Sequence, residues 1–175
     1  MTLKNKLIYE GKAKKILEHP DSDKVIIEFK DDATAFNSLK KAKFKGKGEL
    51  NCQISINIFQ YLIKHDIPTH FHEALDNKSV IADKIDIIPL EVVLRNVAYG
   101  SICRQTNIKP GAVFQEPLID FYLKDDALQD PLLTKERIKV LEILEKKELD
   151  FIEDITYKVN NILKKLFSAI DLTLV

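Results

Sequence analysis

A lysine-rich turn near the start of the sequence has the residue types that bind polyphosphate. Gly11 is followed by Lys12, Ala13, Lys14 and Lys15, so a residue without a side chain and a small residue stand beside three ammonium groups. Glycine lets a backbone approach a ligand closely, and ammonium groups neutralise phosphate charge. A solvated hairpin tip is the alternative, because such turns are common on surfaces. The turn is not a Walker A motif, since no second glycine-lysine-threonine follows.

A second segment, RNVAYGS, combines a guanidinium with a glycine and a hydroxyl. Arg95 begins it, and Gly100 and Ser101 end it where a predicted strand gives way to a predicted short helix. Only three of the 27 basic residues are arginine, which suggests that arginine is kept where a planar, bidentate donor is needed. A helix N-terminus capped by Ser101, with Arg95 or Arg104 nearby, predicts a phosphate-monoester pocket. The equal alternative is an ordinary capped helix with a surface arginine.

The loop KDDALQDP follows an apolar segment and brings Lys124 together with three carboxylates, of which Asp130 is the last. Clustered carboxylates can hold magnesium or an amine, because hard cations prefer oxygen ligands. A solvated acidic loop is the more frequent arrangement for such a segment. The loop by itself therefore favours a plain surface turn over a binding site.

Three further features carry weaker signals. The polar segment 31–37, DDATAFN, is best explained as a turn. His70 and His72 have the spacing of a metal pair on one strand face, but no third ligand is evident nearby, so a metal site is not favoured. Cys52 and Cys103 are far apart and are predicted to be buried thiols. No Ser-His-Asp order, G-x-S-x-G elbow or G-x-G-x-x-G fingerprint occurs, which excludes hydrolase and dinucleotide-binding classes.

The elements that must position these residues begin with antiparallel strands. Apolar and β-branched segments predict strands over residues 7–9, 15–17, 25–29, 70–75, 80–85, 87–97 and 118–123. A flexible basic stretch, KFKGKG, is predicted before a helix over about residues 49–64. Further helices are predicted after Thr134 and through residues 149–170, with a buried strand starting at Leu172. The predicted boundary near Asp86 divides the chain into residues 1–86 and 87–175.

The composition limits the class of partner. The chain has 175 residues with 27 basic and 27 acidic side chains, so no overall field attracts nucleic acid or an anionic membrane. The first residues lack the apolar core of a signal peptide, and no run reaches the length of a membrane-spanning helix. We therefore expect a folded cytoplasmic protein that acts on small molecules.

Five segments in order resemble the phosphoribosylaminoimidazole-succinocarboxamide synthases: LIYEGKAKKIL, FKDDATAFN, KGKGELN, IIPLEVVLRNVAYGS and FYLKDDALQDP. The similarity covers nearly the whole chain, from about Leu7 through the YKVNNILKKLF helix. The resemblance implies an α+β fold related to the ATP-grasp and kinase-like folds. Residues 1–86 would form an antiparallel-sheet nucleotide lobe and residues 87–175 an α+β substrate lobe, with the ATP cleft between them.

The resemblance also implies a reaction. In this family, ATP, carboxyaminoimidazole ribonucleotide and L-aspartate give the succinocarboxamide SAICAR, ADP and phosphate, with Mg²⁺ required. An acyl phosphate forms on the imidazole carboxylate and the aspartate amine attacks it, so the protein chiefly positions reactants and spreads charge. No protein nucleophile is needed, which suits a sequence in which none is found.

Site residues follow from the resemblance position by position. ATP would be bound by Gly11, Lys12, Ala13, Lys14 and Lys124. The carboxylate and phosphate of the ribonucleotide would be bound by Arg95, Gly100 and Ser101. Asp130 would lie near the aspartate and the metal, and Lys14 and Asp130 are the catalytic candidates.

Relatives continue past Val175 with a D-F-K-x-E-x-G strand and a D-E-x-x-P-D segment, which supply further substrate, ATP and metal contacts. The chain is therefore expected to be truncated relative to the family, its substrate lobe incomplete, and no metal ligand is assigned within it. One alternative is an inactive remnant that still binds nucleotide. Another is a fragment that forms a homo-oligomer through an unpaired strand edge near Val175.

Overall fold

Strand-forming segments dominate the first half of the chain, and helices dominate its end. A computed structural model describes residues 5–35 and 40–175. The chain divides into two compact units, Met1–Asp86 and Ile87–Val175. Each unit has its own sheet and its own hydrophobic core.

The first unit is built on an antiparallel five-stranded sheet. Its elements in chain order are β1 (Leu7–Glu10), β2 (Lys14–Glu18), β3 (Lys24–Phe29), β4 (Asp32–Ala35), β5 (Lys40–Lys43), α1 (Lys47–Ile63), β6 (Phe71–Ala74) and β7 (Ser79–Asp83). The five strands lie in the order β1-β2-β3-β7-β6, while β4 and β5 pair separately. The predicted antiparallel arrangement is confirmed.

Helix α1 and alternate residues of the central strand form the first core. Side chains alternate across a strand, so one face of β3 presents Val25, Ile27 and Phe29 to a common cluster. Cys52 and Ile56 reach that cluster from α1. Cys52 is completely buried, as predicted, and burial raises the pKa of its thiol.

The predicted flexible stretch before α1 is ordered structure instead. Strand β5 occupies its start, and α1 begins at Lys47 after Gly46, whose φ is 85°. Gly48 lies so close to β3 that a Cβ there would stand 2.5 Å from the Phe29 carbonyl oxygen. The Asp31 carboxylate accepts a hydrogen bond from the Gly48 amide at 2.8 Å. This contact between distant residues starts the helix, and local sequence does not reveal it.

The prediction of a polar turn over residues 31–37 is wrong for residues 32–35. Residues 32–35 form β4, which pairs with β5 so that Asp32 lies opposite Lys43. Asn37 lies outside the described residues. Pairing supplies the backbone hydrogen bonds that a polar segment otherwise takes from its own side chains.

The second unit combines a three-stranded sheet with helices. Its elements are β8 (Leu90–Val97), α2 (Ser101–Gln105), β9 (Val113–Leu123), β10 (Leu132–Leu133), α3 (Lys135–Val140) and α4 (Lys146–Ser168). The strand order is β10-β9-β8, with both pairs antiparallel. The buried core of this unit consists of Phe121, Leu133, Ile138, Leu144 and Leu149.

The ends of the helices agree in part with the sequence. Thr134 caps α3 as predicted, since its hydroxyl accepts a hydrogen bond from the Arg137 amide. Helix α4 begins with a reciprocal capping box between Glu145 and Glu148. The predicted buried strand from Leu172 is wrong, because residues 172–175 pair with none of the described strands. Among the described helices, none has the length and apolarity needed to cross a membrane.

Candidate functional site

The lysine-rich turn is the loop of a tight hairpin between β1 and β2. The Gly11 amide donates to the Lys14 carbonyl at 2.9 Å, which leaves Lys12 and Ala13 as a two-residue loop. Both loop residues are exposed. The hairpin therefore presents a small residue and an ammonium-bearing residue at its tip.

Lys14 and Lys15 point to opposite faces of the sheet. Lys15 donates to Glu28 at 3.1 Å and forms an ion pair with it. Lys14 lies opposite Phe29 in the strand register, and its ammonium stands 4.8 Å from the centroid of that ring. Lys14 is exposed as a residue, but partial desolvation of its ammonium against the sheet lowers its pKa, and no described carboxylate pairs with it. A cation held in this way is available to an anionic ligand.

Arg95 in the second unit belongs to a closed ring of polar side chains. Its Nη1 donates to Asp120, and its Nη2 donates to Ser101 Oγ at 3.0 Å. The Ser101 and Tyr122 hydroxyls are 3.0 Å apart, and the Tyr122 hydroxyl donates to Asp120 Oδ2 at 3.4 Å. The Arg95 and Asp120 side chains are only 12% and 16% exposed. The ring fixes the plane of the guanidinium while using two of its five N–H donors.

Two members of this ring, Asp120 and Tyr122, were not predicted as site residues. They are two positions apart on β9, so they lie on one face of the strand. Strand β8 brings Arg95 beside them, because Val93 pairs with Asp120 and Arg95 pairs with Leu118. Polar residues at alternate positions in the apolar second half of β9 were the available signal. The pairing partner could not be read from either segment alone.

Ser101 does not cap the helix as predicted. The N-cap of α2 is Gly100, no side-chain cap bond is present, and the Ser101 hydroxyl bonds within the ring instead. Gly100 has φ 74° and ψ −130°, a conformation that residues with a Cβ rarely adopt. Arg104 is exposed on the last turn of this five-residue helix. The Ser101 hydroxyl thus lies beside the Arg95 guanidinium, directly after the bend at Gly100.

The carboxylates of the acidic loop hold the loop itself in shape. Asp125 Oδ1 accepts hydrogen bonds from the Ala127 and Leu128 amides at 2.9 and 3.1 Å, which caps a short 3-10 helix over Asp126–Leu128. Asp130 Oδ1 accepts from the Asp125 amide at 3.0 Å, and Asp130 has a positive φ of 48°. The loop thus holds Asp130 in a defined conformation, and the hydrogen bond to the Asp125 amide uses only one oxygen of the Asp130 carboxylate.

Lys124 lies at the start of the same loop with its ammonium half exposed. Its Nζ is 4.0 Å from Glu91, the outer limit of an ion pair, and its amide donates to the Pro89 carbonyl at 3.1 Å. Backbone pairing therefore places Lys124, while its side chain has only a weak partner. The structure brings Lys124 and Asp130 into one loop.

A metal centre is not formed by the described residues. Across residues 5–35 and 40–175, no group of three or more histidine, cysteine, aspartate or glutamate side chains could hold an ion. His72 Nε2 is 3.1 Å from Lys24 Nζ. The register between β6 and β7 is irregular at His72, between Phe71 and Glu73.

The geometry of these side chains does not decide which protein family the chain belongs to, and similarity to known proteins does. The family model described as SAICAR synthetase matches residues 7–175. The chain belongs to the SAICAR synthetase family. A phosphoribosylaminoimidazole-succinocarboxamide synthase of Prochlorococcus marinus subsp. pastoris is 67% identical over 175 residues, which are 100% of this chain and 72% of that protein.

Solved SAICAR synthetases share the fold. The enzyme from Ehrlichia chaffeensis matches with a TM-score of 0.95 and 41% identity, covering 97% of this chain and 72% of that one. A SAICAR synthetase solved in complex with ADP matches with a TM-score of 0.89 and 45% identity, covering 94% and 69%. The predicted α+β fold with antiparallel sheets is confirmed. The SAICAR synthetases are ATP-dependent ligases of purine biosynthesis, and the chain shares both their family and their fold.

Proposed function

We propose that this chain joins L-aspartate to carboxyaminoimidazole ribonucleotide with ATP, giving SAICAR, ADP and phosphate. The observation that carries the proposal is the match to SAICAR synthetases over residues 7–175, which includes each segment assigned to the site. The ordered Arg95 ring supports it independently, because a fixed guanidinium is suited to a carboxylate or phosphate.

The nucleotide part of the proposal places ATP at the hairpin turn of the first unit, residues 1–86. Lys12, Ala13 and Lys14 would bind the phosphates through amides and ammonium groups, and Gly11, whose amide donates to the Lys14 carbonyl, would let the backbone come close to them. The fit is supported by the exposed tip and by the Lys14 ammonium, which has no carboxylate partner among the described residues. One related SAICAR synthetase binds ADP. Lys124 of the second unit would be a further ATP ligand.

The ribonucleotide would bind in the second unit, residues 87–175. Arg95 and Ser101 would bind its carboxylate or phosphate oxygens, and the bend at Gly100 would let the backbone come close. Asp120 neutralises part of the guanidinium charge, so the pocket would discriminate by geometry as much as by charge.

The proposed chemistry has two steps. A carboxylate oxygen of the ribonucleotide attacks the terminal phosphorus of ATP, ADP leaves, and an acyl phosphate forms. The aspartate amine then attacks the acyl carbon, loses a proton, and displaces inorganic phosphate. Lys14 would stabilise charge on the transferred phosphoryl group, and Asp130 would orient the aspartate amine. ATP would enter as its magnesium complex, and no residue of this chain is assigned to the metal. Because the proposed reaction is an ATP-consuming biosynthetic step, we propose the cytoplasm as its compartment.

The test is ADP release with ATP, magnesium, the ribonucleotide and L-aspartate all present, repeated with each one omitted. We expect release that requires every component, together with a product of the mass of SAICAR. ADP release without the ribonucleotide would indicate a plain ATPase and contradict the proposal. Nucleotide binding without any turnover would instead favour the alternative of a nucleotide-binding remnant.

A further inference from the structure

Lys30, the residue that follows β3, is bonded to the hairpin turn through both its backbone and its side chain. Its backbone amide donates to the Ala13 carbonyl at 2.8 Å. Its ammonium donates to the Gly11 carbonyl at 3.3 Å. Lys30 thus binds the carbonyl of Gly11, just before the exposed tip, and the carbonyl of Ala13, the second residue of the tip.

The Lys30 ammonium has as many acceptors as it has donors. Besides the Gly11 carbonyl, it contacts Glu10 Oε1 at 2.6 Å and Asp32 Oδ2 at 2.8 Å. An ammonium has three N–H donors, so these three oxygens use all of them. The side chain is 15% exposed and two carboxylates face it. Lys30 is therefore unsuited to binding a phosphate directly.

The same bonds orient the turn. Carbonyl oxygens repel phosphate, and a turn that binds phosphate must direct them elsewhere. The Gly11 and Ala13 carbonyls accept from Lys30, and the Lys14 carbonyl accepts from the Gly11 amide. Three carbonyls of the turn are thus bonded within the protein.

We propose that Lys30 is a positioning residue for the nucleotide turn, holding its carbonyls away from the phosphates without contacting them. This inference rests on the proposed function, since it needs nucleotide to bind at Gly11 to Lys14. It predicts that removing the Lys30 ammonium weakens nucleotide binding by disordering the turn rather than by removing a ligand charge.

The test compares Lys30→Met with Lys78→Met by calorimetric titration of ADP well below the melting temperature. Lys78 is the matched control, because it is a part-buried lysine of the same unit whose ammonium donates to Asp31 at 3.0 Å. We expect Lys30→Met to bind ADP about tenfold more weakly, the value of one charged hydrogen bond, and Lys78→Met to bind as the wild type does. Both variants should have lower melting temperatures.

Positioning is separated from charge by the double variant Lys30→Met/Glu10→Gln, which keeps the net charge of the wild type beside the turn. A role of charge alone predicts that the double variant binds ADP as the wild type does. A positioning role predicts that binding stays about tenfold weaker, because the Gly11 carbonyl still lacks its donor. If Lys30→Met does not fold, Lys30→Arg takes its place, because a planar guanidinium cannot repeat the same three bonds, and about threefold weaker binding is expected.

Each remaining outcome has one meaning. Unchanged ADP affinity in a folded Lys30 variant, or wild-type affinity in the double variant, would overturn the role of Lys30 and leave the proposed function intact. A wild-type protein that binds no ADP would overturn nucleotide binding at the turn and this inference with it.

Discussion

The side chains of Asn96 and Asn160 donate to each other. Asn96 Nδ2 lies 2.8 Å from Asn160 Oδ1, and Asn160 Nδ2 lies 3.1 Å from Asn96 Oδ1. Both residues are buried, one on β8 and the other on α4. The pair joins the long helix to the strand position that follows Arg95, so it bears on the geometry of the polar ring.

Replacing Asn160 with alanine should destabilise the protein markedly. The change leaves the Asn96 amide buried without its partner, and we expect a loss of about 1 to 3 kcal/mol in the free energy of unfolding. Urea denaturation measures it. Asn161→Ala is the control, because Asn161 is the next residue of α4 and is exposed. Equal midpoints for the two variants would contradict the importance of the pair.

Arg95→Lys should weaken binding of the ribonucleotide and leave ADP binding unchanged. An ammonium cannot bond Asp120 and Ser101 and still offer a planar fork to a ligand. We expect roughly tenfold to hundredfold weaker binding, the value of one or two charged hydrogen bonds. Titration of each ligand in turn measures this. Arg104→Lys, at an exposed position, is the control, and equal losses for both ligands would exclude a ribonucleotide pocket at Arg95.

Gly100→Ala should destabilise the protein through backbone strain. No atom lies within 4 Å of a Cβ built at Gly100, so crowding plays no part and the positive φ of 74° alone opposes alanine. We expect a cost of about 1 to 3 kcal/mol. Gly11→Ala is the comparison, because Gly11 does not need a positive φ and the added Cβ would come no closer than 3.3 Å to its nearest neighbour, the exposed Tyr9 ring. Thermal unfolding of both variants should separate them, and a harmless Gly100→Ala would refute the strain.

The ionised carboxylate of Asp31 should stabilise the fold at neutral pH and cease to do so in acid. The hydrogen bond from the Gly48 amide, then the one from Lys78, lowers the pKa of Asp31 below its ordinary value. A lowered folded pKa means that the contribution is complete above the unfolded pKa, about 4, and is lost as pH falls through the folded value.

Melting temperatures of the wild type and Asp31→Asn from pH 7 to pH 2 test this expectation. We expect the wild type to melt higher at pH 7 and the difference to shrink below about pH 4. Asp23→Asn is the control, because Asp23 lies in an exposed turn of the same unit. A difference that stays constant down to pH 2 would show that the charge of Asp31 does not contribute.

Local sequence patterns predicted the strands and helices that are determined by the residues they themselves contain. The β-branched run in residues 25–29 predicted β3, and the apolar spacing in residues 149–170 predicted α4. Patterns failed where a distant residue decides the structure. The first turn of α1 depends on Asp31, and the Ser101 hydroxyl bonds Arg95 instead of capping its own helix.

The sequence by itself determined the family, the antiparallel first sheet and the candidate residues, because each is written in contiguous segments of the chain. Tertiary structure decided the partners of those residues. Only the pairing of β8 with β9 brings Asp120 and Tyr122 to Arg95, and only the return of β3 beside β2 brings Lys30 to the turn at Gly11. The physical reason is that hydrogen bonds depend on distance in space, whereas motifs record only separation along the chain.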